Sequence, residues 1–184
     1  MPNYRRYRVE GATYFFTVVT HERREFLTTE LARKYLRSAL GTARNRAPFE
    51  LIAFVLMPDH MYCLMELPPE DADYSTRWSH IKGEFSRAFL KGGGKQGSAT
   101  RSRINKGEAA IWQRRFSEHV IRDEKDFGQH FDYIHYNPVK HRYVRSVAEW
   151  PWSSFHRYVR EGWYDPEWGS HEPPDIDMMF ERIE

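Results

Sequence analysis

The chain has 184 residues, 40% hydrophobic and 29% charged, which excludes a disordered or fibrous polypeptide and allows one domain with a real core. Its 28 basic and 26 acidic residues leave a net charge of +2, but from Glu161 onward eight acidic residues stand against one basic, Arg182, so the preceding body carries +9, which suits a polyanionic partner. No apolar run is long enough to span a bilayer, the N-terminus lacks the apolar stretch of a signal peptide, and the single cysteine, Cys63, excludes an internal disulfide, so a reducing cytoplasm is expected.

Tyr4-Arg5-Arg6-Tyr7-Arg8 opens the chain, and cations interleaved with aromatics suit phosphates and stacked bases. Thr13 to Thr20, β-branched and aromatic, predicts a first strand. Thr28 or Thr29 predicts a helix cap, and Leu31, Tyr35, Ala39 and Ala43, spaced by four, predict a helix ending before Pro48. Phe49 to Met57 predicts a second strand, and Pro58-Asp59 a tight turn into a third. In that third strand His60, Tyr62, Leu64 and Glu66 share one face, and Met61, Cys63 and Met65 the other. Both faces are mostly apolar, as in a central strand, so its polar groups need partners.

Beyond Pro68-Pro69, Ser75 predicts the cap of a helix with Trp78, Ile81, Phe85 and Phe89 on one face. Gly92 to Glu108 lacks periodicity and carries Lys95, Arg101, Arg103 and Lys106, predicting a mobile basic loop. Ile111 to Ile121 predicts a strand with Arg114 and Arg115 near its start. Asp123 then caps a helix that buries Phe127, Phe131 and Ile134 and stops at Pro138. Tyr133 and Asn137 lie one turn apart on its flank, with Asp126 and His130 on the same side. This order is α+β with antiparallel pairing at the hairpin. A short helix follows Trp152, and the acidic, aromatic stretch 161–184 is set apart from a domain spanning 1–160, as a tail expected to cover the basic face and compete with its partner.

Five stretches, TYFFTV, LMPDHMYCLME, IWQRRFSEHVI, DYIHYNPVKHRYV and EWPWSSFHRY, together resemble the REP-associated tyrosine transposases, a branch of the single-tyrosine HUH nucleases, across most of residues 4–158. The resemblance implies a ferredoxin-like (RRM-like) central antiparallel sheet with helices packed on it, the HUH nuclease fold. It implies cleavage and rejoining of single-stranded DNA at hairpins formed by REP-like palindromes, through a 5′-phosphotyrosine, with Mg²⁺ or Mn²⁺ as cofactor. Carried over by position, His60 is the first histidine of the His-hydrophobe-His triplet, Tyr133 the nucleophile and Asn137 a third metal ligand. Tyr4, Arg5, Arg6, Arg8, Arg101, Arg103, Arg114, Arg115, Lys140, Arg142 and Arg145 are candidates for DNA contacts. The family also implies a monomer in the bacterial cytoplasm, associated with the nucleoid.

One position departs from the pattern: Tyr62 stands where the second histidine belongs. A neutral phenol is a poor ligand for a hard divalent ion. Three explanations stay open: a metal held by His60, Asn137 and water with Glu66 as a helper; a degenerate site on a DNA-hairpin-binding protein; or a variant made to disable cleavage. His21, His80, His119, His135, His141 and His156 have no pairing that the sequence supports.

Overall fold

The computed structural model describes residues 8–170. Tyr4, Arg5 and Arg6, and residues 171–184 of the acidic tail, lie outside them.

Four strands form one antiparallel sheet in the order β2-β3-β1-β4. They are β1 (Thr13–Val19), β2 (Glu50–Leu56), β3 (His60–Glu66) and β4 (Ser117–Val120). This is the ferredoxin-like order expected. β3 and β1 are central, and the alternation along β3 holds: Met61, Cys63 and Met65 enter one core, Tyr62 and Leu64 the other. Burial pushes the Cys63 thiol far above its ordinary range, so it acts as a small apolar side chain.

Two helices cover the first face. α1 (Glu30–Arg46) is capped by Thr29, whose hydroxyl accepts from the Ala32 amide, and it buries Leu36, Ala39 and Ala43. α2 (Tyr74–Lys91) buries Trp78, Ile81, Phe85 and Phe89. Its cap is Asp73 rather than Ser75: the Asp73 carboxylate accepts from the Thr76 amide, so the helix starts two residues earlier than a Ser75 cap allows. The second face carries α4 (Glu124–Lys140), whose Phe131, Tyr133 and Ile134 meet Phe15, Val55, Tyr62 and Leu64. α4 therefore lies across the sheet from α1 and α2.

Three further expectations are corrected. Gly92 to Glu108 is not wholly irregular, because a short helix, α3 (Arg101–Asn105), interrupts it and Gly97 donates to the Ala110 carbonyl. The strand predicted over Ile111 to Ile121 pairs regularly only over Ser117–Val120; Trp112 makes a single bridge to Thr20, and the Arg114-Arg115 step between them leaves the ladder. Pro138 does not stop α4, which runs on to Lys140. The proline removes only its own amide, and the next turn closes through bonds from Arg142 to the Val139 carbonyl and from Tyr143 to the Pro138 carbonyl. Arg142 takes the left-handed conformation, φ 60°, that this closure demands.

Packing also continues past the expected boundary at 160. After α5 (Phe155–Arg160), Tyr164 donates to Asp132 at 2.5 Å, and Trp168 lies against Tyr136 and Phe155. Ring contacts of Tyr164 and Trp168, with the bond from Tyr164 to Asp132, hold this stretch against α4 and α5.

Candidate active site

The Pro58-Asp59 turn sets the site. Met57 and His60 close it with a backbone bond of 2.9 Å, and three amides from the preceding segment anchor it: Phe26 and Leu27 donate to the Pro58 carbonyl, Thr20 to that of Asp59. His60 is 2% exposed, and its Nδ1 donates to Asp59 Oδ1 at 2.6 Å. Burial alone would raise the Asp59 carboxyl, but the His60 hydrogen bond and charge, with Arg23 at 3.2 Å, bring it below its ordinary range. An ionised Asp59 can only accept, so it fixes the imidazole's orientation and turns Nε2 inward. That Nε2 is buried and has no hydrogen-bond partner.

α4 brings the other half. Tyr133, Asn137, Lys140 and His141 follow one another at helical spacing along α4 and its C-terminal cap, and the rings of Tyr133 and His141 meet Tyr62 and His60 of β3. Tyr133 is 2% exposed; its ring meets Tyr62 edge-on at 5.3 Å, while Tyr62 meets His60 at 4.8 Å. Positions 60 and 133, far apart in the chain, thus touch the same side chain. Lys140 Nζ donates to Tyr133 Oη at 3.3 Å. Asn137 donates through Nδ2 to the Tyr133 carbonyl, which leaves its Oδ1 buried without a partner.

Two buried acceptors left unsatisfied, an imidazole nitrogen and an amide oxygen, cost free energy unless something binds them. Thr17 Oγ1, on the strand position paired with Tyr62, is a third such atom. A carboxylate-backed imidazole nitrogen and an amide oxygen, both left without partners, are donors of the kind a divalent cation takes.

Glu66 is excluded as a helper. It is exposed, at the opposite end of β3 from His60, six residues away, or about 20 Å along a strand.

A second polar cluster was not foreseen. Among the described residues, His119, Asp126 and His130 form the one group of histidine and acidic side chains with three ligand atoms within 4.8 Å. Its atoms are already engaged. Asp126 Oδ2 accepts from His119 Nε2 at 2.8 Å and from the Arg122 amide and Nε at 3.0 and 3.1 Å. His130 Nδ1 donates to the Asp126 carbonyl at 2.8 Å. Burial raises the Asp126 carboxyl, yet the bonds from His119 and Arg122 bring it down to about 2, while burial lowers His130 to about 4. With an arginine against its carboxylate, this group works as a clamp between β4 and the first turn of α4.

The basic candidates divide. Arg8, Arg101, Arg115, Arg142 and Arg145 are exposed. Arg114 is exposed but bound to Glu108 at 2.7 Å and Ser102 at 3.0 Å. Arg103 is a correction: it is 6% exposed, and its guanidinium donates to the carbonyls of Ala109 and Trp112, fixing the 103–112 segment. Lys140 is half-buried against Tyr133, placing it in the site rather than on an outer surface. His141 was missed outright. Its ring packs edge-on against that of His60, centres 5.3 Å apart. The available signal was its place eight residues after Tyr133, two helical turns on the same stripe.

The sequence matches the family of IS200-like transposases over residues 8–137. A Haemophilus influenzae protein named for the REP-associated tyrosine transposases is 43% identical over 178 residues, 97% of this chain and 98% of its own. The REP-associated tyrosine transposase of Escherichia coli K12 is 43% identical over 169 residues, 91% of each chain. A solved structure of a REP-associated tyrosine transposase bound to a REP hairpin matches with a TM-score of 0.74 at 41% identity, covering 91% of each chain. Its likeness assigns the four-stranded antiparallel sheet and its helices to the HUH fold. The chain belongs to the IS200-like transposases and, among them, to the REP-associated tyrosine transposases.

Proposed function

We propose that this chain nicks and rejoins single-stranded DNA at hairpins formed by REP-like palindromes, through a covalent link to Tyr133. The observation that carries this reading is on α4: a phenol bonded to an ammonium, one turn from an unsatisfied amide oxygen, its ring packed on the same Tyr62 that a carboxylate-backed imidazole meets. The solved relative bound to a REP hairpin supports the choice of DNA.

In the proposed reaction Tyr133 Oη attacks the scissile phosphorus. The bond from phosphorus to the 3′ oxygen breaks as the bond to Oη forms, giving a 5′-phosphotyrosine and a free 3′ hydroxyl. The phenol loses its proton and the departing oxygen gains one. The ester keeps the bond energy, so an incoming 3′ hydroxyl rejoins the strand by the reverse step without a nucleotide cofactor. A free phenol ionises only near pH 10, so the attack needs help. Lys140, 3.3 Å from Oη, stabilises charge developing on that oxygen. His60 Nε2 and Asn137 Oδ1 would hold a divalent cation, Mg²⁺ or Mn²⁺, with Asp59 keeping the imidazole in place. Bound there, the ion would polarise the scissile phosphate and offset charge on its oxygens.

Arg142 and Arg145, just past the C-terminus of α4, are the exposed cations nearest in sequence to the stripe, and Arg101 and Arg115 extend the basic surface along the 101–115 segment. Phosphate contacts of this kind make hairpin affinity fall steeply with salt. Arg8, and Tyr4, Arg5 and Arg6 ahead of it, suit the single-stranded side of the hairpin. The protein would act as a monomer on nucleoid DNA; among the described residues no helix is long and apolar enough to cross a membrane.

The test is incubation with Mn²⁺ and labelled hairpin DNA, followed by a denaturing gel. A covalent adduct that Tyr133→Phe abolishes is the expected result. A second reading, a hairpin-binding protein without cleavage, draws on Tyr62. Salt-sensitive binding with no adduct, in this chain and in Tyr62→His alike, would establish it and reject the first.

A further inference from the structure

We propose that His141 supplies the second imidazole of the metal site, in place of the histidine that β3 lacks at position 62; this rests on the reading of His60 and Asn137 as metal ligands. Tyr62 is badly placed for that duty. It is 1% exposed, its ring stacks on Phe15 at 5.6 Å and meets Tyr133 edge-on, and a neutral phenol binds hard divalent ions weakly. A second ring meets His60, the imidazole of His141 at the C-terminal cap of α4. Two imidazoles sharing one ion through ring nitrogens at about 2.0–2.1 Å place their centres about 5 Å apart. The His60 and His141 centres are 5.3 Å apart, at an interplanar angle of 60°.

The backbone holds His141 there. It is the C-terminal cap of α4, donating to the Asn137 carbonyl at 2.9 Å, and the bonds from Arg142 and Tyr143 close the helix around it. The Tyr143 ring lies 6.4 Å from that of His141, and Tyr143 in turn packs against Trp150 at 5.6 Å. Asn137 and His141 are four residues apart, so the amide oxygen and this imidazole come from successive turns of one helix face. The resulting set is His60 Nε2 from the sheet, and Asn137 Oδ1 and a ring nitrogen of His141 from the helix. It restores two imidazoles and an amide, one imidazole having moved from strand to helix.

The test is Mn²⁺ binding to the full chain without DNA, followed by the loss of the free-ion EPR signal. His60→Ala marks the part of the binding that belongs to this site, as distinct from His119, Asp126 and His130. His141→Phe, which keeps a ring against His60, should weaken that part at least tenfold, and Tyr62→His/His141→Phe should recover it to within about threefold of the starting protein. Pulsed EPR of the ion bound to the unmodified chain should count two coordinated imidazoles, a reading that needs no variant to fold. A single imidazole, or His141→Phe binding within twofold while His60→Ala loses the ion, overturns the role of His141 and leaves the metal site itself standing. No His60-dependent binding, in this chain or in Tyr62→His, removes the metal reading and this inference with it.

Discussion

Acid should weaken this protein at a pH where most of its carboxylates are still ionised, because of His135, a buried histidine on α4. His135 is fully buried on α4, with Nε2 bonded to Ser154 Oγ at 2.7 Å, Nδ1 to Tyr164 Oη at 3.2 Å, and aromatic rings around it. Burial lowers its pKa from 6.5 to about 3. Above pH 6.5 the ring is neutral in both folded and unfolded chains, so nothing is lost. Below 6.5 the unfolded chain takes up a proton that the folded chain refuses, and stability falls until the pH reaches the folded value. Between pH 7.5 and 5 that spans about 1.5 pH units of unequal protonation, or about 2 kcal/mol. His130, lowered by burial to about 4, contributes a similar amount. A combined loss of about 4 kcal/mol is a large share of the 5–15 kcal/mol typical of a domain. Asp59 and Asp126 do not act in this window: their folded pKa values are depressed, so their contribution is present above pH 3.8 and fades only below it. Urea unfolding followed by tryptophan fluorescence at the two pH values measures the loss, and His135→Gln should roughly halve it. Equal losses in the variant and the starting protein would refute the reasoning.

Lys140→Met keeps the stem over the Tyr133 ring but removes the ammonium; adduct formation should slow by about ten- to a hundredfold in single-turnover assays, with hairpin affinity changed far less. Arg142→Gly relieves a left-handed non-glycine residue and should stabilise the fold by about 1 kcal/mol in denaturant titrations, while reducing the salt dependence of hairpin binding. Arg77→Met should cost about 3 kcal/mol by the same titration, because Arg77 is 2% exposed and its guanidinium holds Asp71 and the Pro48 and Asp73 carbonyls at once.

Much of the molecule was legible because its signals are local. Strand alternation assigned Met61, Cys63 and Met65 to one face of β3 and Tyr62 and Leu64 to the other, and the structure places them so. The spacing of four placed Tyr133 and Asn137 on one side of α4. The resemblance added that this helix meets β3. Even the exclusion of Glu66 was available, since strand rise alone separates it from His60.

What no local pattern carried is how elements approach one another. The sequence by itself determined the phase of each element: which residues share a face, where the turn at Pro58-Asp59 falls, which side of α4 is apolar. Only the tertiary structure decided that Arg103 turns inward to two carbonyls, that Asp126 clamps two histidines and an arginine, and that the cap of α4 carries His141 to the ring of His60. Backbone geometry repeats every two or 3.6 residues and leaves its mark in the order of side chains, whereas docking is the sum of many small burial and hydrogen-bond terms between residues distant in the chain, and no single residue type records that sum.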